Sequence, residues 1–395
     1  MQNLIELSKK EKKLAVGLMS GTSLDGVDAV LVEITGNGTK TKLRQIDFLS
    51  YPFPEGLKGL ILKNSARETS NVEDICRLNF LIPMIYSDAI NALCNKNSFP
   101  VANLDLIGSH GQTIHHLPEK HKMFGYEVRS TLQIGDPAAL AKLTGVITVG
   151  DFRPGDIALD GQGAPLVPYF DYLMLFSDSK NRALLNVGGI SNFTILKKGA
   201  KPLEVRAFDT GPGNMMIDTL SKRFLGKEYD EDGKTALKGK VNRELLEALK
   251  EKDTFIEKTP PKSTGRELYG EAFLKELLEK YSGVSHEDWL STITNFTAYA
   301  IFRNYEKFIS EKIKIDELII SGGGARNLAL VKFLKDYFTE HVALRNIEEL
   351  GISSDAKEAI CFAVLANETV SGNPSNLPGV TGAKRETILG KICLP

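Results

Sequence analysis

The residues best able to do chemistry sit in a few glycine-rich loops. Residues 14–34 read LAVGLMSGTSLDGVDAVLVEI, in which Gly21, Thr22, Ser23, Asp25 and Gly26 separate an apolar run from an alternating one. That is the pattern of a β-hairpin. Gly, Ser and Thr let backbone N–H groups approach an anion, and Asp25 and Asp28 could face a phosphate-bound Mg2+. The loop lacks the lysine of a P-loop, so taken alone it reads slightly better as an ordinary turn. A weaker echo, RALLNVGGISNFTIL at 182–196, places Gly188 and Gly189 between two strand-like runs. SGGGARN at 321–327 sets Gly322, Gly323 and Gly324 between a strand and a helix. Bare backbone there suits a base, ribose or phosphate facing a helix N-terminus. Taken together, the three loops favour nucleotide binding. In DTGPGN at 209–214, Asp209 could reach Mg2+ or a water, while Gly211 and Gly213 permit close backbone approach. A Pro-Gly turn capped by Asp209 explains the same residues equally well.

The segment 151–168, DFRPGDIALDGQGAPLVP, offers Asp151, Asp156, Asp160, Arg153 and Gln162. Its prolines and glycines make it irregular, and catalytic groups are often set on such loops. Arg153 and Asp156, three residues apart, pair most simply as a surface salt bridge. An aspartate needs no pKa shift to act as a base at neutral pH, its reference value being about 3.9. His110, His115, His116 and His121 crowd the stretch GSHGQTIHHLPEKH. No His-Glu-x-x-His pattern or cysteine cluster accompanies them, so no metal site is expected. They read as solvated loop histidines, with His110 in position to hydrogen-bond a substrate. Glu358 follows Asp355 by three residues, the spacing of a capping box, and a role toward a substrate competes with that.

These groups need a scaffold. A chain of 395 residues implies two domains, or three small ones, and 42% apolar with 25% charged residues is the balance of a soluble globular protein. A net charge of −1 gives no basic field for nucleic acid. The N-terminus lacks the apolar core of a signal peptide, and no stretch is long enough to span a bilayer. A cytoplasmic protein is expected. Cys76, Cys94 and Cys361 lie in apolar helical patterns and read as free core thiols. Helical spacing covers 71–94, where Pro83 predicts a kink or break, and 285–309, where Ser285 is the N-cap. Further helices are expected after Asn327 and over 355–370, and strands at 104–108, 146–149, 184–187 and 317–320. The order predicts an α/β protein with a mixed sheet in each of two lobes. One lobe is expected over 1–180 plus about 375–395 and the other over 181–374, with the ligands in a cleft between them.

The blocks GLMSGTSLDGVDA, GSHGQTI, DFRPGDIALDGQGAPLVP, NVGGISN, FDTGPGN, PKSTGRE, SGGGARN, DAKEAICFAVLA and VTGA run in this order through nearly the whole chain. In them the sequence resembles the anhydro-N-acetylmuramic acid kinase family, part of the sugar kinase, actin and heat-shock chaperone ATPase superfamily. The resemblance implies a two-lobed actin-like ATPase fold with duplicated ribonuclease H-like lobes. It puts Gly21, Thr22, Ser23, Leu24, Asp25, Gly26, Val27 and Asp28 around the ATP phosphates. Gly188, Gly189, Asp209, Gly211, Gly213, Asn214, Gly322, Gly323 and Gly324 complete the expected nucleotide site. Asp156 looks like the catalytic base, with His110, Gln112, Gln162 and Glu358 toward the sugar. At Asp160-Gly-Gln-Gly the family pattern reads Gly-Gly-Gln-Gly. The implied reaction opens 1,6-anhydro-N-acetylmuramic acid with water and phosphorylates O6, using ATP and Mg2+, as a step of peptidoglycan recycling. A homodimer is implied, with neither nucleic acid nor membrane as partner. The alternatives are a kinase for a sugar with a free hydroxyl, an ATP-driven conformational protein, or a metal-dependent hydrolase using the histidines.

Overall fold

The computed structural model describes every residue except Met1, Thr22, Glu340 and His341, and leaves the side chains of Gln2, Arg266 and Glu267 undescribed. The chain divides into two compact units, Met1–Met174 with Asp355–Pro395, and Leu175–Ser354.

In the first unit the expected hairpin is present. β1 (Lys12–Ser20) pairs antiparallel with β2 (Gly26–Thr35), and β2 with β3 (Lys42–Pro52). β4 (Leu106–Met123) lies parallel to β1 on its other side. β5 (Tyr126–Ile134) folds back antiparallel along β4, and β6 (Thr148–Gly150) continues the sheet parallel to β4. The four histidines His110, His115, His116 and His121 therefore lie on a strand, not in a loop. Beyond Ile114 that strand projects with β5 as an arm, and Phe124 at its tip is 95% exposed.

The helix Val72–Lys96 starts where Asn71 accepts N–H bonds from Glu73 and Asp74, and it runs through Pro83 without a break. A helix-interior proline costs roughly 3 kcal/mol. Leu78, Ile82, Ile85, Tyr86, Ala89 and Ile90 from this helix are buried in the core, and each large apolar side chain returns about 1.5–3 kcal/mol. Packing therefore outweighs the lost hydrogen bond. Cys94 and Cys361 are buried as expected, but Cys76 is exposed, on the opposite side of the apolar stripe.

In the second unit, β7 (Arg182–Val187), β8 (Ile190–Leu196) and β9 (Arg206–Pro212) form an antiparallel meander. β10 (Glu317–Ser321) and β11 (Ala343–Asn346) extend it in parallel on the free side of β7. The helix His286–Tyr305, capped by Ser285, and the helix Leu328–Phe338, capped by Asn327, cover the sheet's core. The chain then returns to the first unit, where β12 (Lys391–Cys393) pairs antiparallel with β6.

Both sheets share one strand order. A first strand has on one side an antiparallel strand followed by a third that reverses again, and on the other side parallel strands, β4 and β6 in one sheet and β10 and β11 in the other. This is the ribonuclease H-like arrangement, present twice.

The helix Lys357–Ser371 belongs to the first unit, so residues 355–374, expected in the second, lie in the first. The reason is steric fit. A Cβ at Gly17 on β1 would lie 1.9 Å from the Ala359 carbonyl oxygen, and one at Gly108 on β4 would lie 2.0 Å from that of Phe362. Only glycine lets this helix rest directly on the two central strands.

Candidate active site

The turn between β1 and β2 divides its residues by task. Leu24 and Val27 are buried, and a Cβ at Gly26 would lie 2.3 Å from the Tyr51 carbonyl oxygen. These three serve packing. Gly21 has open space around it, and Ser23 and Asp25 are exposed. Asp25 pairs with Lys58 at 2.7 Å. Asp28 accepts the Ser50 hydroxyl at 2.5 Å. Burial pushes the Asp28 carboxyl above its ordinary value against that hydrogen bond, and the charge of Asp355 adds to the rise. Thr22 lies outside the described residues.

The segment following β6 is organised around two side chains that do not pair with each other. Asp156 is wholly buried. Its Oδ2 accepts the Gly163 N–H at 2.8 Å, and its Oδ1 accepts from Asn376 at 2.8 Å and from the Thr381 hydroxyl at 2.7 Å. A Cβ at Gly161 would lie 2.0 Å from Oδ2, so the loop wraps tightly around the carboxylate. Arg153 turns the other way. Its Nε and Nη2 donate to His110 Nε2 at 3.0 and 2.9 Å, and Nη1 donates to the Gly163 carbonyl at 2.8 Å. The surface salt bridge expected between Arg153 and Asp156 is thus replaced by two buried networks that meet at the Gly163 peptide group. Gln162 is exposed, and its backbone N–H donates to the Thr381 carbonyl. Asp160 pairs with Lys384 at 2.5 Å and has φ of 65°. That left-handed backbone is easiest for glycine, the residue expected there from the resemblance, and tolerable for aspartate.

His110 is buried, and its Nδ1 meets the Gly111 carbonyl at 2.8 Å. Burial, aided by the Arg153 charge, lowers its pKa from 6.5 to about 3 against the Gly111 hydrogen bond. The folded chain therefore keeps the ring neutral where the unfolded chain protonates it. Stability should be full above about pH 6.5 and decline as pH falls toward about 3. Denaturant midpoints should fall between about pH 7 and about pH 5, and His110→Gln should lessen that dependence. An unchanged slope in the variant would remove His110 from the account. Gln112 is also buried, and among the described residues its Oε1 finds no hydrogen-bond partner. A buried acceptor of this kind calls for a ligand or water.

Glu358 lies in the first turn of the helix Lys357–Ser371. The N-cap position is Ala356 with no side-chain cap, so the expected capping box with Asp355 is not formed. Glu358 is accessible yet closely surrounded by protein. Desolvation pushes its carboxyl above the ordinary range, opposed by Lys357 and Arg153 and assisted by Asp28. Glu358 thus feels the charges of both Arg153 and Asp28.

In the second unit, three expected loops meet. The Gly213 and Met215 N–H groups donate to the Gly189 carbonyl, and the Asn214 N–H donates to that of Gly188 at 2.8 Å. Asn214 Nδ2 donates to the Val187 carbonyl at 3.3 Å. A Cβ at Gly322 would lie 2.7 Å from that same carbonyl oxygen, and one at Gly324 2.3 Å from the Val187 side chain. Gly211 has φ of 128° and faces the Tyr269 ring. Gly188 and Gly323, in contrast, have room for a side chain. Asp209 is partly exposed on β9. Its Oδ2 accepts from the Ser263 hydroxyl and from the Thr264 N–H, both at 2.9 Å. Sequence reasoning assigned no role to Ser263 or Thr264, although they lie within the quoted PKSTGRE block. It also missed Asn376, which no local pattern marks. Among the described residues no group of three or more His, Cys, Asp or Glu side chains is placed to hold a metal ion.

Two ribonuclease H-like units, each with a glycine-bearing turn between its first two strands, define an α/β protein of the duplicated kind. Residues 13–395 match the family described as anhydro-N-acetylmuramic acid kinase. The chain is 46% identical to the enzyme of that name from Caldanaerobacter subterraneus subsp. tengcongensis, over 100% of both chains. It is 48% identical to that from Clostridioides difficile, over 96% of this chain and 97% of the relative. It is 44% identical to that from Salinibacter ruber, over 100% of both. The chain belongs to the anhydro-N-acetylmuramic acid kinase family, and it is an enzyme of the kinase class. Among the described residues no helix is long and apolar enough to cross a membrane.

Proposed function

We propose that the enzyme uses ATP to open 1,6-anhydro-N-acetylmuramic acid and phosphorylate it, giving N-acetylmuramic acid 6-phosphate and ADP in peptidoglycan recycling. The observation that carries this reading is the match to the family across residues 13–395. In the substrate O6 bridges to C1, so no free 6-hydroxyl exists. Water adds to C1, the C1–O6 bond breaks, the water's proton passes to a carboxylate, and O6 takes the γ-phosphoryl group. One carboxylate acting through water is half of an inverting glycosidase. Phosphoryl transfer itself needs positioning and charge neutralisation.

The water-activating carboxylate must touch the water. Asp156, the base implied by the sequence, has both oxygens committed to Gly163, Asn376 and Thr381 and no exposed surface. It fits a brace for the loop that carries Gln162. Asp209 is partly exposed, and the Ser263 hydroxyl and the Thr264 N–H are among the groups that orient it. Gly213, whose N–H donates to the Gly189 carbonyl, follows directly on the strand that carries Asp209. We therefore assign the base to Asp209 and keep Asp156→Asn as the competing test.

Gly21, Gly188 and Gly323 each have room for a side chain in the protein alone. Packing does not require glycine there, whereas close approach of a nucleotide or its phosphates would. Mg2+ is the cation such a reaction uses to neutralise phosphate charge, holding it mainly through phosphates, waters and one or two carboxylates. Asp28 suits that role, because its desolvated carboxyl beside Asp355 would be relieved by a cation. Asp25 is already engaged by Lys58. We also propose a cytoplasmic homodimer, which sedimentation of the purified chain checks.

The direct test is a short incubation with Mg-ATP and 1,6-anhydro-N-acetylmuramic acid in 18O-water, followed by mass spectrometry. A phosphorylated sugar carrying one 18O at C1 is expected. Phosphorylation without 18O would point to a free-hydroxyl sugar kinase. Absence of any sugar product would sink this substrate.

A further inference from the structure

We propose that Arg153 recognises the carboxylate of the sugar substrate and so sets the enzyme's preference for an acidic sugar over its neutral counterpart; this rests on the sugar-kinase reading above. A guanidinium has five N–H donors and no acceptor. Three are used here: the Nε–H and one Nη2–H on His110 Nε2, and one Nη1–H on the Gly163 carbonyl. One N–H on each of Nη1 and Nη2 is left, a pair spaced for the two oxygens of a carboxylate.

Both existing partners are neutral. With the His110 proton on Nδ1, facing the Gly111 carbonyl, Nε2 is an acceptor. The other partner is a peptide oxygen. Among the described residues no aspartate or glutamate lies within ion-pair distance of Arg153, although Glu358 is near enough to act on its charge. The cation is held but not neutralised. Sequence neighbours with a carboxylate, Asp151 and Asp156, are directed elsewhere: Asp151 pairs with Lys391 at 2.7 Å, and Asp156 keeps its oxygens for Gly163, Asn376 and Thr381.

The mounting is rigid on both sides. The Gly163 carbonyl takes Arg153 while its N–H is fixed by Asp156. The His110 ring packs against Phe362 with centroids 4.7 Å apart. A planar fork locked in this way favours a planar, two-oxygen anion, which arginine matches and lysine does not. The sugar carries such a group on its lactyl ether, and the corresponding glucosamine anhydro sugar lacks it. A phosphate is the competing anion, and the test separates the two.

The experiment compares kcat/KM for 1,6-anhydro-N-acetylmuramic acid and for its methyl ester, in the wild-type enzyme and in Arg153→Gln and Arg153→Lys. The wild type should prefer the acid by about 100-fold, the loss typical of leaving one partner of a close charged pair unmatched. Arg153→Gln should bring that ratio toward unity, and Arg153→Lys should lie between. Because the ratio is taken within one preparation, a partly misfolded variant does not distort it. A ratio preserved in Arg153→Gln, or a wild type with no preference for the acid, overturns the proposal. Equal loss on both sugars, accompanied by a raised KM for ATP, also overturns it and moves the anion to the nucleotide. A wild type that phosphorylates neither sugar fails at the earlier step, the family's substrate, and takes this assignment with it.

Discussion

Asp209→Asn should lower kcat by about 1,000-fold or more, the scale of a lost general base, while the melting temperature stays near that of the wild type. The amide keeps the size of the carboxylate and can still accept from Ser263 and the Thr264 N–H, so the strand end should hold its shape. What it loses is the ability to take a proton from water. Asp156→Asn should show the opposite pattern. An amide in that enclosure turns one acceptor into a donor among three donors, from Gly163, Asn376 and Thr381. Hydrogen bonds to a charged group contribute roughly 1.5–3 kcal/mol each, so a stability loss of about 2–4 kcal/mol is expected. Activity would fall with the loop, not with the proton. Thermal melts and single-turnover rates on both variants decide between them. An Asp156→Asn enzyme that melts like the wild type and is inactive would return the base to Asp156.

The second large effect belongs to Gly108→Ala. The added methyl would lie 2.0 Å from the Phe362 carbonyl oxygen and 3.0 Å from the Ala366 side chain. Neither can swing aside, since both belong to a buried helix. Overpacking of this kind typically costs about 1–3 kcal/mol, and here backbone must move, so a loss of about 3 kcal/mol or an insoluble product is expected. Glu358 rides in the first turn of the same helix, so turnover should fall even in protein that remains folded. Gly59→Ala is the control. Gly59 lies in the helix Leu57–Ser65 with open space around it, and the change should stabilise by up to about 1 kcal/mol. Denaturant midpoints of the two variants measure both. A Gly108→Ala protein as stable as the wild type would mean that the helix does not rest on β4 as described.

What the sequence made legible was mostly local. Both hairpins could be read because alternation flanks a short glycine turn, and the helix cap at Ser285 sits beside the element it starts. The arm of β4 and β5 was hidden because it is exposed on both faces, which leaves no apolar alternation to see. Arg153 and Asp156 were misread for a different reason. Their spacing invites a local pair, but the partner of Arg153 is His110, 43 positions away, and the partners of Asp156 include Asn376 and Thr381, 220 and 225 positions away. Nothing in the neighbourhood of either residue records those distances. The unit boundary near residue 355 was missed likewise, because the glycines that admit the helix, Gly17 and Gly108, lie hundreds of residues before it.

The long reach of Asp156 has a consequence for how the enzyme is made. A ribosome delivers residues 151–163 long before residues 376 and 381, so for most of synthesis the carboxylate lacks two of the three donors it ends with. The loop acquires its final shape only once those late residues have emerged and docked. A nascent chain that stalls before them would carry both glycine turns and nearly complete sheets, yet hold Arg153 on an unfinished mounting. Catalytic competence is in this sense a report that translation has passed residue 381.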